Sequence, residues 1–262
     1  MPGNPPRPAF SWPLSSRAER FGIHAPAGGQ PGSGPTPPPH GQSLAYVELH
    51  AHSCWSLREG ASSPDELVHR ALELGYTHLA ITDHDNLYGA MEFAKAAREF
   101  GLAPITGCEV TLTDESHLTL LCETAEGYRN LCRLLSRAYH VHGKDTPRVE
   151  KDWLFELRKG LILLTGCRQG ELSRLVDPGQ SESRSLEAAS AIARGYRDHF
   201  GAGQVFIELQ HHDVFGDTPR VAALAAIAEE VGLPVVATNN VHYHTRERHR
   251  LNDALVAIRH RL

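Results

Sequence analysis

The sequence lacks the long apolar segment that a membrane-spanning helix needs. No stretch reaches the roughly 18 to 20 apolar residues required to cross a bilayer. The N-terminus also lacks the apolar core that marks a secretory signal. Cysteine is scarce, with 5 residues at spacings that match no disulfide framework. These absences predict a cytoplasmic protein with reduced thiols and no membrane partner.

The chain also has no excess of positive charge. Lysine and arginine total 26 against 31 aspartate and glutamate residues, and the formal net charge is −5. Binding nucleic acid by electrostatics alone needs a concentrated basic surface, so the composition argues against that mode of binding. Histidine is abundant instead, with 17 residues. Neutral imidazole is the commonest metal ligand, which directs attention to metal sites.

The first part of the chain differs in composition from the rest. Residues 1–43 are rich in proline, glycine and serine, as in Pro37-Pro38-Pro39. Such a segment buries too little apolar surface to offset the entropy lost on ordering. We therefore predict a disordered tail over 1–43 and one folded domain over 44–262.

Within the predicted domain, short apolar strands alternate with amphipathic helices. Strands are predicted at 46–50, 77–82, 103–106, 110–112, 117–122, 161–165, 205–209 and 234–238. Helices are predicted at 64–75, 88–100, 126–139, 186–199, 219–231 and from about 247 onward. Repeated strand–helix units with apolar strands indicate a mostly parallel sheet covered by helices. About seven such units, without a dinucleotide-binding fingerprint, favour a closed α/β barrel over an open sheet.

The first predicted strand ends in the segment Leu49-His50-Ala51-His52-Ser53. Residues two apart on a strand share a face, so both imidazoles point the same way, as joint binding of one metal ion requires. An isolated His-x-His pair is more often two surface histidines. The residues that follow the other strands decide between these interpretations.

Further polar residues follow other strands, at the end of the barrel where functional residues gather. They are Asp83, His84, Asp85, Glu109, Cys167, Asn239, Asn240 and His242, while His117 is an exception because it opens a strand. A mixture of histidine, carboxylate and one cysteine suits zinc, manganese or iron better than calcium or magnesium. The set exceeds what one ion could use, which predicts two or three ions. Neighbouring ions can activate a shared water for phosphate-ester hydrolysis.

Two of these residues have a competing interpretation. Cys167 alone would more often be a small buried core residue than a ligand. Asp83 could orient a ligand or simply cap a helix. His211 and His212 also follow a strand, so a role at the same end of the barrel stays open for them.

At these motifs the chain resembles the polymerase and histidinol phosphatase (PHP) family. The resemblance covers Tyr46 to the C-terminus and rests on the segments 49–53, 81–85, 107–109, 117–121, 164–167 and 237–243. The His117 segment and Gly127-Tyr128-Arg129-Asn130-Leu131 resemble the polymerase-type members, the bacterial DNA polymerase III alpha subunits. The run from Asn239 to His244, with Glu247-Arg248, is most similar to their error-prone relatives.

The resemblance implies a distorted (β/α)7 barrel with up to three divalent ions, which would be zinc, manganese or iron. The first site would be formed by His50, His52 and Glu109, with Asn240 at the family's aspartate position. The second site would be formed by Glu109, His117 and Cys167, and the third site by Glu59, His84 and His242. His50, His52, Glu109 and His242 would take part directly in hydrolysis.

Asn240 is the main departure from the family pattern. An amide oxygen can contact a metal, but it has no charge and cannot accept a proton, so we expect weaker occupancy of the first site and impaired hydrolysis. One hypothesis is a PHP domain of an error-prone DNA polymerase, active in DNA replication and damage-induced synthesis, that hydrolyses phosphoesters by removing terminal nucleotides. The alternatives are a catalytically silent structural module of the polymerase and a free-standing phosphatase.

The predicted partners follow from the same resemblance. The resemblance implies DNA bound through a polymerase region, with other replication or repair subunits as further partners. The sequence stops at Leu262 inside a predicted helix and no polymerase palm follows, so we do not expect this chain to polymerise nucleotides by itself.

Overall fold

A mixed sheet forms the centre of the fold in the computed structural model, which describes residues 46–177 and 182–261. The predicted disordered tail, 1–43, lies outside the described residues. Within them the sheet has six strands, in the order β1 to β6. They are β1 (His78–Ile81), β2 (Ala103–Thr111), β3 (His117–Cys122), β4 (Leu161–Leu164), β5 (Val205–Leu209) and β6 (Val235–Ala237).

One strand of the sheet runs against the others. β1 pairs with β2 in parallel, and β4, β5 and β6 are also parallel, whereas β3 is antiparallel to both β2 and β4. The link between β2 and β3 is short enough only for a hairpin, because a parallel connection needs a crossover of a dozen or more residues. His117, the first residue of β3, pairs with Thr111, the last residue of β2. It therefore lies at the same end of the barrel as the residues that close the parallel strands.

A further extended segment joins the two edges of this sheet. Glu48 forms a parallel bridge with Leu79 of β1, and Ala51 forms one with Val241, just beyond β6. The Thr82 amide donates to the Ala51 carbonyl at 2.8 Å. The segment therefore takes the seventh strand position, and the predicted fold class, a distorted α/β barrel, is confirmed.

Helices connect the strands and cover the sheet. They are α1 (Pro64–Glu73), α2 (Ala90–Phe100), α3 (Ala125–His142), α4 (Lys151–Glu156), α5 (Glu171–Leu175), α6 (Glu182–Phe200), α7 (Asp217–Val231) and α8 (His249–His260), which follows the 3-10 turn Arg246–Arg248. The sequence pattern did not predict α4 and α5, because one or two turns are too short to show helical periodicity. No helix among the described residues combines the length and apolarity that crossing a membrane requires.

The prediction of two separate strands at 103–106 and 110–112 is wrong, because β2 is continuous. Gly107 lies in its middle, and a Cβ there would come within 2.5 Å of the Leu120 carbonyl oxygen of β3. The glycine permits the close approach of the neighbouring strand rather than interrupting β2. The main core lies between the sheet and its covering helices, where Leu118 of β3 and Leu134 of α3 are fully buried.

Candidate metal centre

Two histidines and one glutamate meet at the end of the barrel where the parallel strands finish. His50 and His52 have no solvent exposure, and Glu109 is 3% exposed. His50 Nε2 lies 3.4 Å from Glu109 Oε1, and His52 Nε2 lies 3.7 Å from Glu109 Oε2. The three residues offer ligand atoms that all lie within 4.8 Å of one another. The structure thus brings together the charged and imidazole members of the predicted first site.

Several buried polar atoms at the first site have no hydrogen-bond partner. They are His50 Nε2, His52 Nε2 and Glu109 Oε1, and Oδ1 of Asn240, which the resemblance assigns to this site, also has none. Asn240 immediately precedes Val241, and Val241 forms a parallel bridge with Ala51, the residue between His50 and His52. A buried polar atom without a partner costs on the order of 1–3 kcal/mol. Nitrogen and oxygen atoms without a hydrogen-bond partner, gathered in this way, can donate electron pairs to a cation. The residues of this site therefore fit a metal ion.

The second site shares Glu109 with the first. His117 Nδ1 lies 3.3 Å from Glu109 Oε1, and Cys167 Sγ lies 3.6 Å from His117 Nδ1. His84, which the resemblance assigned to the third site, is also close, with its Nδ1 3.4 Å from Glu109 Oε2. His84, Glu109 and His117 form a second set of potential ligand atoms within 4.8 Å of one another. Glu109 is therefore positioned to bridge two ions.

The third site has a different character. Glu59 Oε2 lies 2.9 Å from His84 Nδ1, but the carboxylate also forms an ion pair with Arg259 of α8. The ring of His242 stacks on that of His52, with centroids 4.7 Å apart and planes 17° apart. Among the described residues, Glu59 and His84 have no buried side-chain N or O atom without a hydrogen-bond partner. This donor set does not fit an ion as the first site does.

Glu208, which no sequence motif had indicated, fixes the orientation of His50. His50 Nδ1 donates to Glu208 Oε1 at 2.7 Å, and both side chains are fully buried. The Glu208 carboxylate also accepts from Gln210 Nε2 at 2.9 Å and from the Gly166 amide at 3.1 Å. This bond places the proton on Nδ1 and leaves Nε2 facing the site. In the sequence, the one feature that could have indicated a role for Glu208 is its acidic side chain within the otherwise apolar strand β5.

Ser56 and Asp83 hold His52 in a comparable way. The Ser56 hydroxyl donates to Asp83 Oδ1 at 2.8 Å, so its oxygen accepts from His52 Nδ1 at 3.0 Å. Asp83 also accepts from the Ser53 amide at 2.7 Å. Helix α2 begins only at Ala90, so Asp83 does not cap it. Of the two interpretations of Asp83, the structure supports the one in which it orients a candidate ligand.

The charges in the cluster perturb one another strongly. Burial would raise the pKa of Glu109, but His117 and His50 hold it well below its ordinary value. Burial lowers the pKa of His52 well below its ordinary value, and His242 adds to this effect. Burial also lowers the pKa of His242, to about 4. Glu109 is therefore a carboxylate and His52 a neutral imidazole, which are the forms that bind a cation.

Two further residues of the cluster have raised pKa values. Burial lowers the pKa of His50, but Glu208 and Glu109 outweigh this effect and raise it to about 10. Burial and the nearby Glu109 raise the pKa of the Cys167 thiol well above its ordinary value. Without a cation, Cys167 is thus a neutral thiol beside the carboxylate, and a metal ion would be needed to stabilise its thiolate.

A cavity of about 330 Å³ opens beside the second and third sites, and basic side chains line it together with His84 and His117. These are Arg58, Lys144, Arg148 and Arg259. Arg148 is neutralised by Glu115, with its Nε and an Nη 2.7 and 2.6 Å from the two carboxylate oxygens. Arg58 and Lys144 add positive charge at this opening, but Asp85 and Asp145 line the same cavity and balance it.

Comparison with known proteins gives sequence matches over most of the folded part. A family model described as "PHP domain" matches residues 48–212. The error-prone DNA polymerase of Mycobacterium tuberculosis (strain H37Rv) is 40% identical over 233 residues, which cover 84% of this chain and 21% of that protein. The DNA polymerase III subunit alpha of Treponema pallidum is 37% identical over 229 residues, covering 82% and 19%. The chain spans about a fifth of the length of these relatives.

Solved structures that align with the chain share less sequence with it. A histidinol phosphate phosphatase from Lactococcus lactis, in complex with zinc, L-histidinol and phosphate, aligns with a TM-score of 0.45 and 12% identity, covering 82% of this chain and 94% of that one. An amidohydrolase from Chromobacterium violaceum, with bound sulfate and no metal, aligns with a TM-score of 0.45 and 19% identity, covering 80% and 96%. The sequence match, rather than these likenesses, relates the chain to known proteins.

Proposed function

The chain belongs to the PHP domain family, and from this membership we propose that it hydrolyses phosphoesters with the help of divalent metal ions. The main support is the set of buried ligand atoms at the first site that lack hydrogen-bond partners. An assembly of this kind is costly to bury unless a cation satisfies it.

The proposed ligands fall into two sets that share one glutamate. One ion would be held by His50, His52, Glu109 and Asn240, and a second by His84, Glu109, His117 and Cys167. When bound, such ions supply the Lewis acidity that activates water and neutralises charge on phosphoryl oxygens. Imidazole, carboxylate and thiol together favour zinc, manganese or iron as the metal.

Hydrogen bonds from surrounding residues orient the proposed histidine ligands in the absence of metal. Glu208 and Ser56 place the ring protons of His50 and His52 on Nδ1, so the opposite nitrogens face the site. Each orientation is held by groups that are themselves buried and hydrogen-bonded, which limits reorganisation on binding. Arg58 and Lys144 line the adjacent cavity, beside Asp85 and Asp145, and would be the side chains available to contact the phosphate group of a substrate.

The proposed substrate is the terminal nucleotide of a DNA strand. Support comes from the names of the relatives, which are DNA polymerases of the error-prone and alpha types. On this proposal the chain is the PHP domain of such a polymerase, and it acts during replication or damage-induced synthesis. DNA and other replication or repair subunits would be its partners.

The test is an assay with manganese or zinc against a 3′-labelled oligonucleotide and a generic phosphate ester. We expect release of labelled mononucleotide by the unaltered protein and its loss in Glu109→Gln. Glu229→Gln, which changes an exposed carboxylate of α7, serves as the matched control and should keep full activity. Turnover of the small ester alone would favour a free-standing phosphatase and would reject the DNA substrate.

A second candidate function is a structural module that binds metal without catalysis. Asn240 favours it, because this amide replaces an ionisable carboxylate and has no charge with which to accept a proton. For such a module, added metal would raise the melting temperature by mass action. Turnover of both substrates would stay at the level of Glu109→Gln.

A further inference from the structure

Glu59, which the resemblance assigns to the third site, is paired with a cation that the protein itself supplies. The residue is 7% exposed. One carboxylate oxygen, Oε1, forms an ion pair with a guanidinium nitrogen of Arg259, and the other, Oε2, lies 2.9 Å from His84 Nδ1. Both oxygens of the carboxylate therefore already have a nitrogen atom of a neighbouring side chain beside them.

Helix α8 contacts Glu59 through two side chains of one helix face, not through Arg259 alone. Asn252, on the same helix α8, donates from its side-chain amide to the backbone carbonyl of Glu59. Asn252 and Arg259 are seven residues apart, which places them on one face two turns from each other. Two contacts from this face thus meet on Glu59.

Asp85 and Glu109 also lie within 3.4 Å of the His84 ring nitrogens, but the guanidinium paired with Glu59 disfavours another cation at that carboxylate. A divalent ion between Glu59 and His84 would face the guanidinium of Arg259 at close range. Arg58 lines the same cavity and adds a second positive charge near Arg259. Repulsion between like charges in a partly buried site is poorly screened. The first site differs, since its donor atoms have no partner.

We propose that the Arg259 guanidinium takes the place of a third divalent ion, so that the centre binds two ions and not three. This inference rests on the proposed function, because it presumes that the first and second sites bind metal. Arg259 then compensates the charge of Glu59, and His242 stacks on His52 instead of joining a third set of ligands. The planar, permanently charged guanidinium suits a carboxylate partner in such a place.

The test is metal stoichiometry in the full chain, measured by equilibrium dialysis against Zn²⁺ and Mn²⁺ with elemental analysis. Arg259→Gln should bind one more ion per chain than the unaltered protein. Arg250→Gln, which alters an exposed arginine of the same helix, is the matched control and should bind the unaltered number. Adding Glu59→Gln to Arg259→Gln should abolish the gained ion, which would locate it at the third site.

The failure of this inference can be told apart from the failure of the proposed function. Three ions in the unaltered protein, or an unchanged count in Arg259→Gln, would overturn the role of Arg259 and leave metal binding intact. Absence of bound ions in the unaltered protein would overturn both. If Arg259→Gln does not fold, anomalous diffraction from metal-soaked crystals of the unaltered protein decides. A third peak, between Glu59 and His84 and separate from the one held by Glu109 and His117, would then contradict the inference.

Discussion

The Nδ1 atom of His50 lies 2.7 Å from Oε1 of Glu208, although the two residues are 158 positions apart in the chain. The bond connects the strand segment that closes the barrel with β5, and it determines which ring nitrogen of His50 faces the proposed metal centre. Its partner atoms are completely buried. Geometry of this kind, in which a carboxylate holds a ligand histidine, tunes both its orientation and its basicity.

Replacing Glu208 with glutamine should weaken metal binding without removing any ligand. The amide retains the size of the side chain but loses the charge that favours the Nδ1 proton. We expect a loss in affinity of roughly 10–100-fold, measured by titration against a competing chelator. Glu229→Gln should bind as the unaltered protein does.

Thermal unfolding in EDTA separates this effect from simple destabilisation. A Glu208→Gln protein that melts normally without metal, yet binds metal weakly, would support a positioning role. Unchanged affinity in a folded Glu208→Gln protein would reject it.

Restoring a carboxylate at the first site should strengthen that site. In Asn240→Asp, the neutral amide becomes a charged ligand that can also accept a proton. We expect higher metal content at limiting metal concentrations and a faster phosphoesterase rate than in the unaltered protein. Equal metal content and equal rates in the two proteins would show that the amide is not the weak point of the centre.

A buried aspartate at the start of α7 should make stability depend on pH. Burial opposes ionisation of Asp217, but the amides of His212 and Val214 and the side chain of Arg220 lower its pKa to about 2. The pKa of Asp217 is lower in the folded protein than in the unfolded chain. The ionised carboxylate therefore contributes its full stabilisation at any pH above the ordinary pKa of an aspartate. This stabilisation disappears as the pH falls toward the folded-state pKa.

We therefore expect Asp217→Asn to reduce the free energy of unfolding by about 1–3 kcal/mol at pH 7, measured by urea denaturation. The difference from the unaltered protein should shrink between about pH 4 and pH 2. A difference that stays constant over this range would show that the charge of Asp217 is not responsible. Asp213→Asn, in the exposed loop before α7, provides a control without this dependence.

Much of the fold and of the candidate site could be predicted from local patterns. The His50-Ala51-His52 spacing fixes a shared face through strand geometry alone. The rule that functional residues follow barrel strands holds for Cys167, which lies just past β4, whereas Glu109 reaches the same end from within β2. His117 appeared to be an exception, because the sequence does not reveal strand direction. The antiparallel course of β3 brings it to the same end.

Other features depend on contacts that no local pattern encodes. Glu208 looks like an interruption of an apolar strand until the fold brings His50 against it. Arg259 belongs to a basic helical stretch of the kind usually exposed to solvent, and only the packing of α8 brings it to Glu59. The continuity of β2 through Gly107 likewise depends on the close approach of β3. In each case a partner distant in sequence determines the role.

The most direct test of the account is a crystal structure of the protein soaked with zinc, with anomalous diffraction recorded at the zinc edge. We predict an anomalous peak within about 2.0–2.2 Å of His50 Nε2, His52 Nε2 and a Glu109 oxygen, and a second peak near His117. A well-ordered structure from a crystal soaked in excess zinc, with no anomalous peak at Glu109, would contradict the central claim that these residues bind metal.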